Sequence, residues 1–559
     1  MEAISHGGGP LLVTAGAGSG KTRTLTQRVI HLIEKGVSPE RIIAITFTNK
    51  AANEMRERIQ KGVKLKAKSP FIGTFHSFSS RILRTEAKLV SRAPNFVIFD
   101  DKDSLRVIKK TVKSLGLSEG QKHSPVELKK SVSRAKVDLQ DSNEMDDVLK
   151  IVFEDYEKRL LEQNAFDFDD LIEKTVRLFL ENPVTLKKHQ MRFDYILVDE
   201  YQDINFVQYQ LIKLLAREHQ NLSVVGDDQQ SIYAFRGANI KTFLDFEKDW
   251  PKAKIVHLGQ NYRSTSNIVE AAAGVIDHNR FQIKKKLWSE NEKGSPVRII
   301  GTQHANEEAD VIAELILGSN FRESAILYRT NAQSRAIEQA LNFHSIPYQI
   351  YGGVKFYERK EVKDILAPLR YALNPKDEIS RERIEKTFRK AVREALIKEL
   401  PVMGKELKLM EVLGFVLKTT DYFEYLAKKY DNAEERTENV RELVSFANEF
   451  KSLQEFMERV SLLQASDNIN RLGEENAPVK LMTIHLAKGL EFDNVYIAGA
   501  NEGTLPHHRS YFSEEEIEEE RRLTYVAMTR AKKNLFISFY ILASRFLYEM
   551  PPQLVSFKT

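Results

Sequence analysis

A glycine-rich turn between a short apolar run and a helix-forming segment carries the residue types that hold a phosphate. Small residues let successive backbone N–H groups point at one anion, and the helix that follows adds the positive end of its dipole. Lys21 is placed to reach the β- and γ-phosphates of a nucleotide, and the Thr22 hydroxyl is a suitable ligand for Mg²⁺. The candidate phosphate-binding residues are Ala15, Gly16, Ala17, Gly18, Ser19, Gly20, Lys21 and Thr22.

An acidic pair supplies the second element that nucleotide hydrolysis requires. Asp199 and Glu200 directly follow the apolar run at residues 195–198. Asp199 is placed to hold Mg²⁺ through water, and Glu200 is placed to polarise an attacking water molecule. On its own, an Asp-Glu pair after a strand more often lies in a solvent-exposed turn without a catalytic role. Together with the phosphate loop, it predicts hydrolysis of a nucleotide.

These residues need a scaffold of strands and helices that brings them together. Continuous apolar runs of strand length are typical of strands buried on both faces of a parallel sheet. Because such runs alternate with helical segments, the sequence predicts an α/β fold. The predicted strands include residues 11–14, 42–45, 195–198, 222–225, 297–300, 324–328, 495–498 and 535–538.

Two stretches between the predicted strands change to helical spacing and are interpreted as insertions. In the first, Asp103 is a possible cap for a helix that ends before Gly116, and a second helix follows. The apolar positions of these two helices are Leu105, Ile108, Val112 and Leu115, then Val148, Val152, Tyr156 and Leu160. In the second stretch, residues 388–404 predict an amphipathic helix that ends at Pro401. One helical face there is predicted to contain Ile384, Phe388, Ala391 and Ala395.

Composition excludes several other classes of protein. The 559 residues are 42% hydrophobic and 29% charged, which fits a globular protein of several domains. The chain has no cysteine, which excludes disulfides, zinc fingers and cysteine-bound iron–sulfur clusters. The net charge is only +5, so any nucleic-acid surface must be local. No apolar run approaches the roughly 18 residues of a membrane span, so we expect a cytoplasmic protein without a membrane partner.

Seven further motifs follow one another along the chain. Together they resemble the ordered motifs of superfamily 1 DNA helicases of the UvrD, PcrA and Rep type, and the resemblance spans nearly the whole chain. The motifs are residues 46–52 (TFTNKAA), 73–77 (GTFHS), 199–203 (DEYQD), 225–238 (VGDDQQSIYAFRGA), 260–264 (QNYRS), 483–492 (TIHLAKGLEF) and 519–531 (EERRLTYVAMTRA).

The resemblance implies an architecture of two RecA-like P-loop motor domains with parallel sheets, each interrupted by a mostly helical insertion. The first motor domain would comprise residues 1–88 and 189–263, around an insertion at 89–188. The second would comprise residues 264–372 and 476–559, around an insertion at 373–475 that is short for the family.

The resemblance also implies roles in binding and hydrolysing ATP with Mg²⁺. Gln230 would sense the γ-phosphate, and Arg263 and Arg530 would act as arginine fingers, completing a catalytic set with Lys21, Asp199 and Glu200. Tyr262 and Arg23 would sandwich the adenine, Glu491 would bond the ribose, and Thr22 and Asp199 would hold the metal. Positive charge around the γ-phosphate is the main requirement for phosphoryl transfer, which agrees with these roles.

The same resemblance implies contacts with single-stranded DNA. Aromatic rings beside basic groups stack bases without reading sequence. Tyr233 closely follows Gln230, so a shift driven by the nucleotide would reach the stacking residues. The implied DNA-binding residues are Phe47, Thr74, His76, Tyr233, Phe235, Arg236, Arg329, Asn331, His485 and Lys488. For Phe47, packing in the hydrophobic core is as much expected as contact with a base. The lysine run at 284–286 is interpreted as a solvated face.

The chain departs from the family pattern at several points. Ala15 stands where the strict phosphate-loop pattern has Gly, Gln229 where the family has Asp, and Phe235 where relatives usually carry Trp. Residues 1–10 contain no glutamine of the kind that reads adenine in the family, and we expect a chain that begins late. The glycine-rich turn that contacts duplex DNA in relatives is not recognisable in the second insertion.

The sequence therefore predicts an ATP-dependent 3′-to-5′ DNA helicase that acts on single-stranded DNA and 3′-tailed duplexes, with repair or replication proteins as partners. One alternative is a single-strand translocase that displaces proteins from DNA but unwinds little unaided. A second alternative is a non-catalytic DNA-binding scaffold. An RNA substrate is a further alternative, because we recognise no residue that would distinguish RNA from DNA by contact with the 2′-hydroxyl.

Overall fold

The apolar runs in the first half of the chain form a parallel sheet. The computed structural model describes residues 1–63, 68–117, 124–406, 408–466 and 477–558. Its first strands are β1 (Leu11–Ala15), β2 (Ile42–Ile45), β3 (Phe71–Gly73), β4 (Val97–Phe99), β5 (Ala165–Asp167), β6 (Tyr195–Val198), β7 (Leu222–Gly226), β8 (Lys254–Leu258), β9 (Gln260–Asn261) and β10 (Trp288–Ser289). Among the described residues, six of these strands pair in parallel in the order β3-β2-β6-β7-β1-β8, while β4 pairs with β5 and β9 with β10.

Both faces of this sheet are covered, which explains why its strands read as unbroken apolar runs. Along β2, Ile42 and Ala44 pack into one hydrophobic cluster, and Ile43 and Ile45 pack into another on the opposite face. All four side chains are buried. A strand with two buried faces is therefore mostly apolar, as expected for a parallel sheet between helix layers.

Helices surround this sheet and build the first insertion. They are α1 (Glu2–Ser5), α2 (Lys21–Glu34), α3 (Asn49–Gly62), α4 (Phe75–Thr85), α5 (Asp101–Ser114), α6 (Pro125–Val137), α7 (Asp147–Glu162), α8 (Asp170–Glu181), α9 (Pro183–Arg192), α10 (Phe206–Ala216), α11 (Ile240–Leu244) and α12 (Phe246–Asp249). The predicted cap of α5 was wrong: Asp100, not Asp103, accepts from the first backbone N–H groups. The helix begins one turn earlier than its apolar pattern suggests, because Asp100 is in an extended conformation that lets its side chain cap the first turn.

A second parallel sheet forms from the later apolar runs. Its strands are β11 (Val297–Thr302), β12 (Ser324–Tyr328), β13 (Tyr348–Ile350), β14 (Val479–Thr483), β15 (Phe492–Ile497), β16 (Ala531–Tyr540) and β17 (Val555–Lys558). In the described part of the chain these seven pair in the order β13-β14-β12-β15-β16-β11-β17, and every pair is parallel. The predicted α/β fold with parallel sheets is therefore confirmed.

The remaining helices accompany the second sheet and its insertion. They are α13 (Ser266–Ile276), α14 (Ala305–Leu317), α15 (Ser334–Phe343), α16 (Lys360–Leu373), α17 (Glu378–Thr387), α18 (Lys390–Glu406), α19 (Leu409–Thr420), α20 (Tyr422–Lys429), α21 (Ala433–Ala447), α22 (Leu453–Ser466), α23 (Ile484–Ala487) and α24 (Glu514–Met528). Helices α16 to α22 enclose a hydrophobic cluster of their own.

Two expectations for the second insertion were wrong. The predicted continuous face through Ile384 and Phe388 is broken, because α17 ends at Thr387 and Phe388 is extended. Pro401 does not end a helix but lies inside α18. Proline lacks the N–H that would donate a hydrogen bond within the helix. The helix continues through it because Leu396 and Leu400 are buried in the hydrophobic cluster and Met403 packs against that cluster. Tertiary packing therefore overrides the local helix-stop signal.

The chain divides into two units. The first contains Met1–Arg263 and Asn279–Glu290, and the second contains Ser264–His278 and Asn291–Thr559. The segment at 279–290 thus lies in the first unit, whereas the predicted second domain included it. The predicted limits of the insertions stay predictions, and the limit at 475–476 falls outside the described residues. No helix in the described ranges is long and apolar enough to cross a membrane.

A buried ionic cluster holds the first insertion together. Nζ of Lys136 lies 2.6 Å from Asp170 Oδ1, 2.7 Å from Glu157 Oε1 and 2.8 Å from Asp167 Oδ2, and the lysine side chain is fully buried. Burial alone would lower the pKa of Lys136, but the charges of Asp167, Asp170 and Glu157 raise it well above its ordinary value. The lysine is therefore charged and balances carboxylates of which Asp170 is fully buried and Asp167 nearly so.

We predict that Lys136→Met destabilises the first insertion by about 3–5 kcal/mol, because it leaves the buried Asp167 and Asp170 without their nearest cation. Hydrogen exchange of the amides in α6, α8 and β5 measures this loss as faster local opening. Lys130→Met is the matched control on the same helix: Lys130 is half exposed and pairs with Glu127 at the surface, so its removal should cost less than about 1 kcal/mol. Equal protection from hydrogen exchange in the two variants would contradict the role of Lys136 in stabilising the insertion.

Candidate active site

Functional side chains of the first unit follow the carboxyl ends of its parallel strands. The phosphate loop follows β1, Asp227 follows β7 and Asp199 follows β6, and these three strands are neighbours in the order β6-β7-β1. Phe47 and Thr74 follow β2 and β3, on the other side of β6. Because parallel strands end at one edge, the predicted nucleotide and DNA residues lie along the same edge, with the acidic pair between them.

The phosphate loop adopts a backbone that requires glycine. Gly18 and Gly20 have φ angles of +67° and +84°, and a Cβ on Gly18 would lie 2.8 Å from Asn261 Nδ2. Ser19 Oγ donates to the Gly16 carbonyl at 2.8 Å, and α2 begins at Lys21. Ala15 fits in place of glycine, because it is the last residue of β1, paired with Leu258 and fully buried.

The candidate metal ligands contact each other. Thr22 Oγ1 donates to Asp199 Oδ2 at 2.9 Å. Asp199 is buried, and burial together with the neighbouring charge of Glu200 raises its pKa to about 7. A carboxylate in this position is poorly compensated by protein groups alone, so a cation beside it would favour its ionised form.

Glu200 is held in an uncommon backbone conformation. Its φ angle is +52°, which is rare for a residue other than glycine. Gln202 Nε2 donates to Glu200 Oε2 at 2.6 Å, and Gln202 Oε1 accepts from the backbone N–H of Asp227 at 2.9 Å. Gln202 therefore ties the candidate general base to the end of β7. Strain of this kind is concentrated at functional sites.

Asp227 connects several of the predicted residues. Its Oδ2 accepts from Gln230 Nε2 at 2.5 Å and lies 3.7 Å from Lys21 Nζ. Its Oδ1 accepts from Lys285 Nζ at 2.5 Å. The residue that replaces the family Asp, Gln229, is buried and donates from Nε2 to Gln282 Oε1 at 2.8 Å. The lost charge at position 229 is thus replaced by an amide–amide hydrogen bond.

The segment after β8 is anchored on the phosphate loop. The Tyr262 N–H donates to the Gly18 carbonyl at 3.0 Å, and Asn261 Nδ2 donates to the Ala17 carbonyl at 2.8 Å. Asn261 Oδ1 also accepts from the backbone N–H of Arg263 at 2.8 Å. The two side chains predicted to sandwich the adenine are accessible: Tyr262 is 66% exposed, and Arg23 is also exposed.

In the second unit, Glu491 and Arg530 lie together at the amino-terminal ends of neighbouring strands. Glu491 precedes β15 and Arg530 precedes β16, and Phe492 N–H donates to the Arg530 carbonyl at 3.0 Å. The Arg530 guanidinium is buried: Nε donates to the Val526 carbonyl at 2.9 Å and Nη1 to the Leu490 carbonyl at 3.2 Å. Its role as an arginine finger stays a prediction.

The aromatic residues predicted to bind DNA form a short stack in the first unit. The rings of Phe47 and Tyr233 are 5.5 Å apart and nearly parallel, and Tyr233 and Phe235 are 5.9 Å apart. The Arg236 guanidinium lies 5.5 Å from both the Tyr233 and the Phe235 ring. Phe235 is 67% exposed. An exposed ring beside a guanidinium is suited to stacking on a base.

His76 pairs with a residue that the sequence did not single out. Its ring stacks on Phe168 with centroids 3.9 Å apart, and Phe168 is 55% exposed. Burial lowers the pKa of His76 to about 4, so the ring is neutral near pH 7. His76 is therefore suited to stacking and hydrogen bonding but not to pairing with a phosphate. Thr74 caps α4, where its Oγ1 accepts from the Ser77 N–H.

The second unit places its predicted DNA residues after β12 and β14, which are neighbours. Arg329 follows β12 and makes a bidentate contact with Glu520, with its shortest N–O distance at 2.7 Å. Asn331 Nδ2 donates to Glu435 Oε1. His485 and Lys488 lie in and directly after α23, which follows β14. These four residues lie toward the opposite end of the sheet strands from Glu491 and Arg530.

Sequence reasoning missed several residues that the structure brings into the site. Gln202 and Asn261 lie inside recognised motifs but gave no sign of which partner each would hold. Phe168 follows a buried strand in an Asp-Phe-Asp-Asp run, and an aromatic residue among acids is the signal that could have identified it. The lysine run at 284–286 is solvated only at Lys284 and Lys286, because the Lys285 side chain is 2% exposed.

Comparisons with known proteins cover both units. Residues 1–251 match the UvrD/REP helicase N-terminal domain, and residues 256–436 and 416–541 match the UvrD-like helicase C-terminal domain. The protein named ATP-dependent DNA helicase PcrA from Bacillus subtilis (strain 168) is 41% identical over 604 residues, covering 96% of this chain and 82% of that protein. Proteins of the same name from Staphylococcus epidermidis and Leuconostoc citreum are 38% and 37% identical, over 100% and 99% of this chain and 86% and 84% of theirs.

We predict that Gly18→Ala weakens nucleotide binding by about tenfold or more, because a left-handed backbone costs a residue with a side chain about 1–3 kcal/mol and the new Cβ meets Asn261. Equilibrium binding of a fluorescent adenine nucleotide measures the effect. Gly7→Ala is the matched control in the same unit, since a Cβ there has no atom within 4 Å. Unchanged affinity in Gly18→Ala would mean that the loop does not hold the phosphates.

Proposed function

The chain belongs to the UvrD/Rep helicase family and is a helicase, and we propose that it uses ATP to move 3′-to-5′ along single-stranded DNA and to open 3′-tailed duplexes. The family resemblance predicted from the seven motifs is confirmed. UvrD-like helicase domains are RecA-like, which agrees with the two parallel sheets.

The proposal is carried by one observation: a single short segment joins the nucleotide residues to the aromatic stack. Gln230 is buried and donates to Asp227, which also faces Lys21. Three residues later, Tyr233 stacks on Phe47, which follows β2 at the same edge of the sheet. A change at the γ-phosphate that moves Gln230 therefore reaches the stacking rings through a few covalent bonds. This is the coupling that a nucleotide-driven DNA motor requires.

The residues of the first unit have defined tasks in this proposal. The N–H groups of the phosphate loop and Lys21 bind the phosphates, and Tyr262 and Arg23 hold the adenine. Glu200 orients the attacking water, with its carboxylate positioned by Gln202. Arg263 supplies positive charge to the γ-phosphate, and in the second unit Arg530 has the same task while Glu491 holds the ribose.

The pair formed by Thr22 and Asp199 fits a hydrated Mg²⁺ ion. A hydroxyl and a buried carboxylate in mutual contact are oxygen ligands of the type that Mg²⁺ prefers. The ion, when bound, neutralises negative charge that develops on the phosphates. Thr22 and Asp199 are the residues that would hold it.

DNA contacts in the proposal come from both units. Phe47, Tyr233, Phe235 and Arg236 stack bases, and Phe168 and His76 form a second stacked pair in the first unit. Thr74, Arg329, Asn331, His485 and Lys488 bond the strand. Stacking on the faces of bases does not distinguish one base from another, so we expect DNA binding to be independent of sequence.

A second candidate function, translocation with little unaided unwinding, is favoured by the second insertion. Helix α18 runs without a break over residues 390–406, so these residues form a helix and not a glycine-rich turn that could contact duplex DNA. The residues proposed for stepping along one strand lie outside this helix. A non-catalytic scaffold is disfavoured because Thr22, Asp199, Glu200 and Gln230 are held in a connected network of hydrogen bonds.

The test is the direction and strength of unwinding. ATPase is measured with and without single-stranded DNA, and strand separation is followed on matched duplexes with a 3′ or a 5′ tail. The proposal expects ATPase that is strongly stimulated by single strands and opening of only the 3′-tailed duplex. Stimulated ATPase with very slow opening supports the second candidate, while preference for the 5′ tail would overturn the proposed direction.

We predict that Glu200→Gln binds ATP and single-stranded DNA but loses turnover by a factor on the order of 10² or more, because the amide does not accept the proton of the attacking water. The amide is nearly the same size, so Gln202 keeps a partner. Glu34→Gln, an exposed substitution at the end of α2, is the control and should keep wild-type turnover. Near-normal ATPase in Glu200→Gln would show that another group activates the water.

A further inference from the structure

The middle lysine of the run at 284–286 is buried, and its ammonium group has three partners. Lys285 Nζ lies 2.5 Å from Asp227 Oδ1, 2.8 Å from Asp228 Oδ1 and 3.3 Å from the carbonyl oxygen of Ala15. An ammonium group has three N–H donors, so these contacts account for all of them. Lys285 thus joins the end of β7 to the start of the phosphate loop.

The residues around Lys285 fix it in place. We call residues 282–288 the strap. Within it, Ile283 N–H donates to Asp228 Oδ2 at 2.9 Å, and Leu287 packs so closely on Gly16 that a Cβ there would lie 2.3 Å from Leu287 Cδ2. The strap then pairs with β9 through Trp288 in β10. Contacts on both sides of Lys285 therefore hold the strap against the nucleotide loop.

Lys285 balances two adjacent carboxylates that have no access to water. The side chains of Asp227 and Asp228 are both fully buried. Burial alone would raise the pKa of Asp227, but the charges of Lys285 and Lys21 lower it below its ordinary value. Two buried carboxylates require cations close by, and Lys21 is the second cation on Asp227. Without Lys285, Lys21 would be the one of these two cations left at Asp227.

We propose that Lys285 is a positioning residue of the nucleotide site, which holds Asp227 and Asp228 so that Lys21 is available to the phosphates and Gln230 is aligned toward the γ-phosphate. The inference rests on the proposed function, in which Lys21 and Gln230 contact ATP. Lys285 acts through Asp227: Oδ1 of that carboxylate is held by Lys285, and Oδ2 is shared between Gln230 and Lys21.

The first test replaces each lysine of the run in turn by methionine, which is also unbranched, is one atom shorter and carries no charge. Lys285→Met should raise the KM for ATP about tenfold or more, because a charged hydrogen bond at Asp227 is lost. Its affinity should fall further for a non-hydrolysable ATP analogue than for ADP, since the proposed contact of Gln230 is with the γ-phosphate. Lys284→Met and Lys286→Met, which change exposed side chains, should stay within about twofold of wild type.

A charge-balance variant separates this role from a loss of folding. Lys285→Met combined with Asp228→Asn removes one cation and one anion together, and the carbonyl oxygen of the new amide side chain still accepts from the Ile283 N–H. The proposal expects this double variant to unfold near the wild-type temperature but to bind the analogue as weakly as Lys285→Met, because Asp227 Oδ1 still lacks its donor. Lys285→Arg, which keeps the charge and N–H donors, should be intermediate. Thermal unfolding, followed for each variant, shows whether affinity and stability change together.

Two outcomes would overturn the inference. One is a Lys285→Met variant with the wild-type KM and the wild-type preference for the ATP analogue over ADP. The other is a double variant that regains the wild-type affinity for the analogue, because Asp227 would then need no donor from Lys285. Analogue binding does not need hydrolysis, so a wild-type protein that lacks DNA-stimulated ATPase would refute the proposed function while leaving this measurement decisive for Lys285.

Discussion

The burial of both faces of a parallel sheet is the constraint on which the first unit depends. Strands such as β2, whose residues enter two different hydrophobic clusters, have no free face for polar chemistry. Reactive groups must therefore lie where strands end, and parallel pairing gathers those ends at one edge. Along that edge the phosphate-binding loop follows β1, Phe47 follows β2, and the segment after β7 contains both Asp227 and the stacking residue Tyr233.

Buried charge is the second organising feature of the first unit. In the insertion, Lys136 lies among three carboxylates, and in the nucleotide site Lys285 lies between two. A buried carboxylate is costly unless a cation and hydrogen-bond donors surround it, so each cluster allows few arrangements of its members. This rigidity suits Asp227, whose two oxygens fix the relative positions of Lys285, Gln230 and Lys21.

The second unit uses its sheet differently. Glu491 and Arg530 precede neighbouring strands, whereas Arg329 and His485 lie beyond the carboxyl ends of two others. The groups proposed for the nucleotide and those proposed for DNA are thus separated by the length of the strands. Arg329 is also held by Glu520, and a guanidinium fixed by a bidentate carboxylate contact keeps one orientation.

The sequence alone determined the features that depend on local pattern. Three such features are the glycines before Lys21, the acidic pair after an apolar run and the unbroken apolar strands. Each depends on residues that lie only a few positions apart in the sequence. Tertiary structure decided what depends on distant partners: that Lys285 is buried while Lys284 and Lys286 are exposed, that His76 stacks on Phe168, and that α18 continues through Pro401. Three adjacent lysines have the same local signal, and only Asp227 and Asp228, nearly sixty residues away, distinguish the middle one, because a buried ammonium group is stable only where carboxylates meet it.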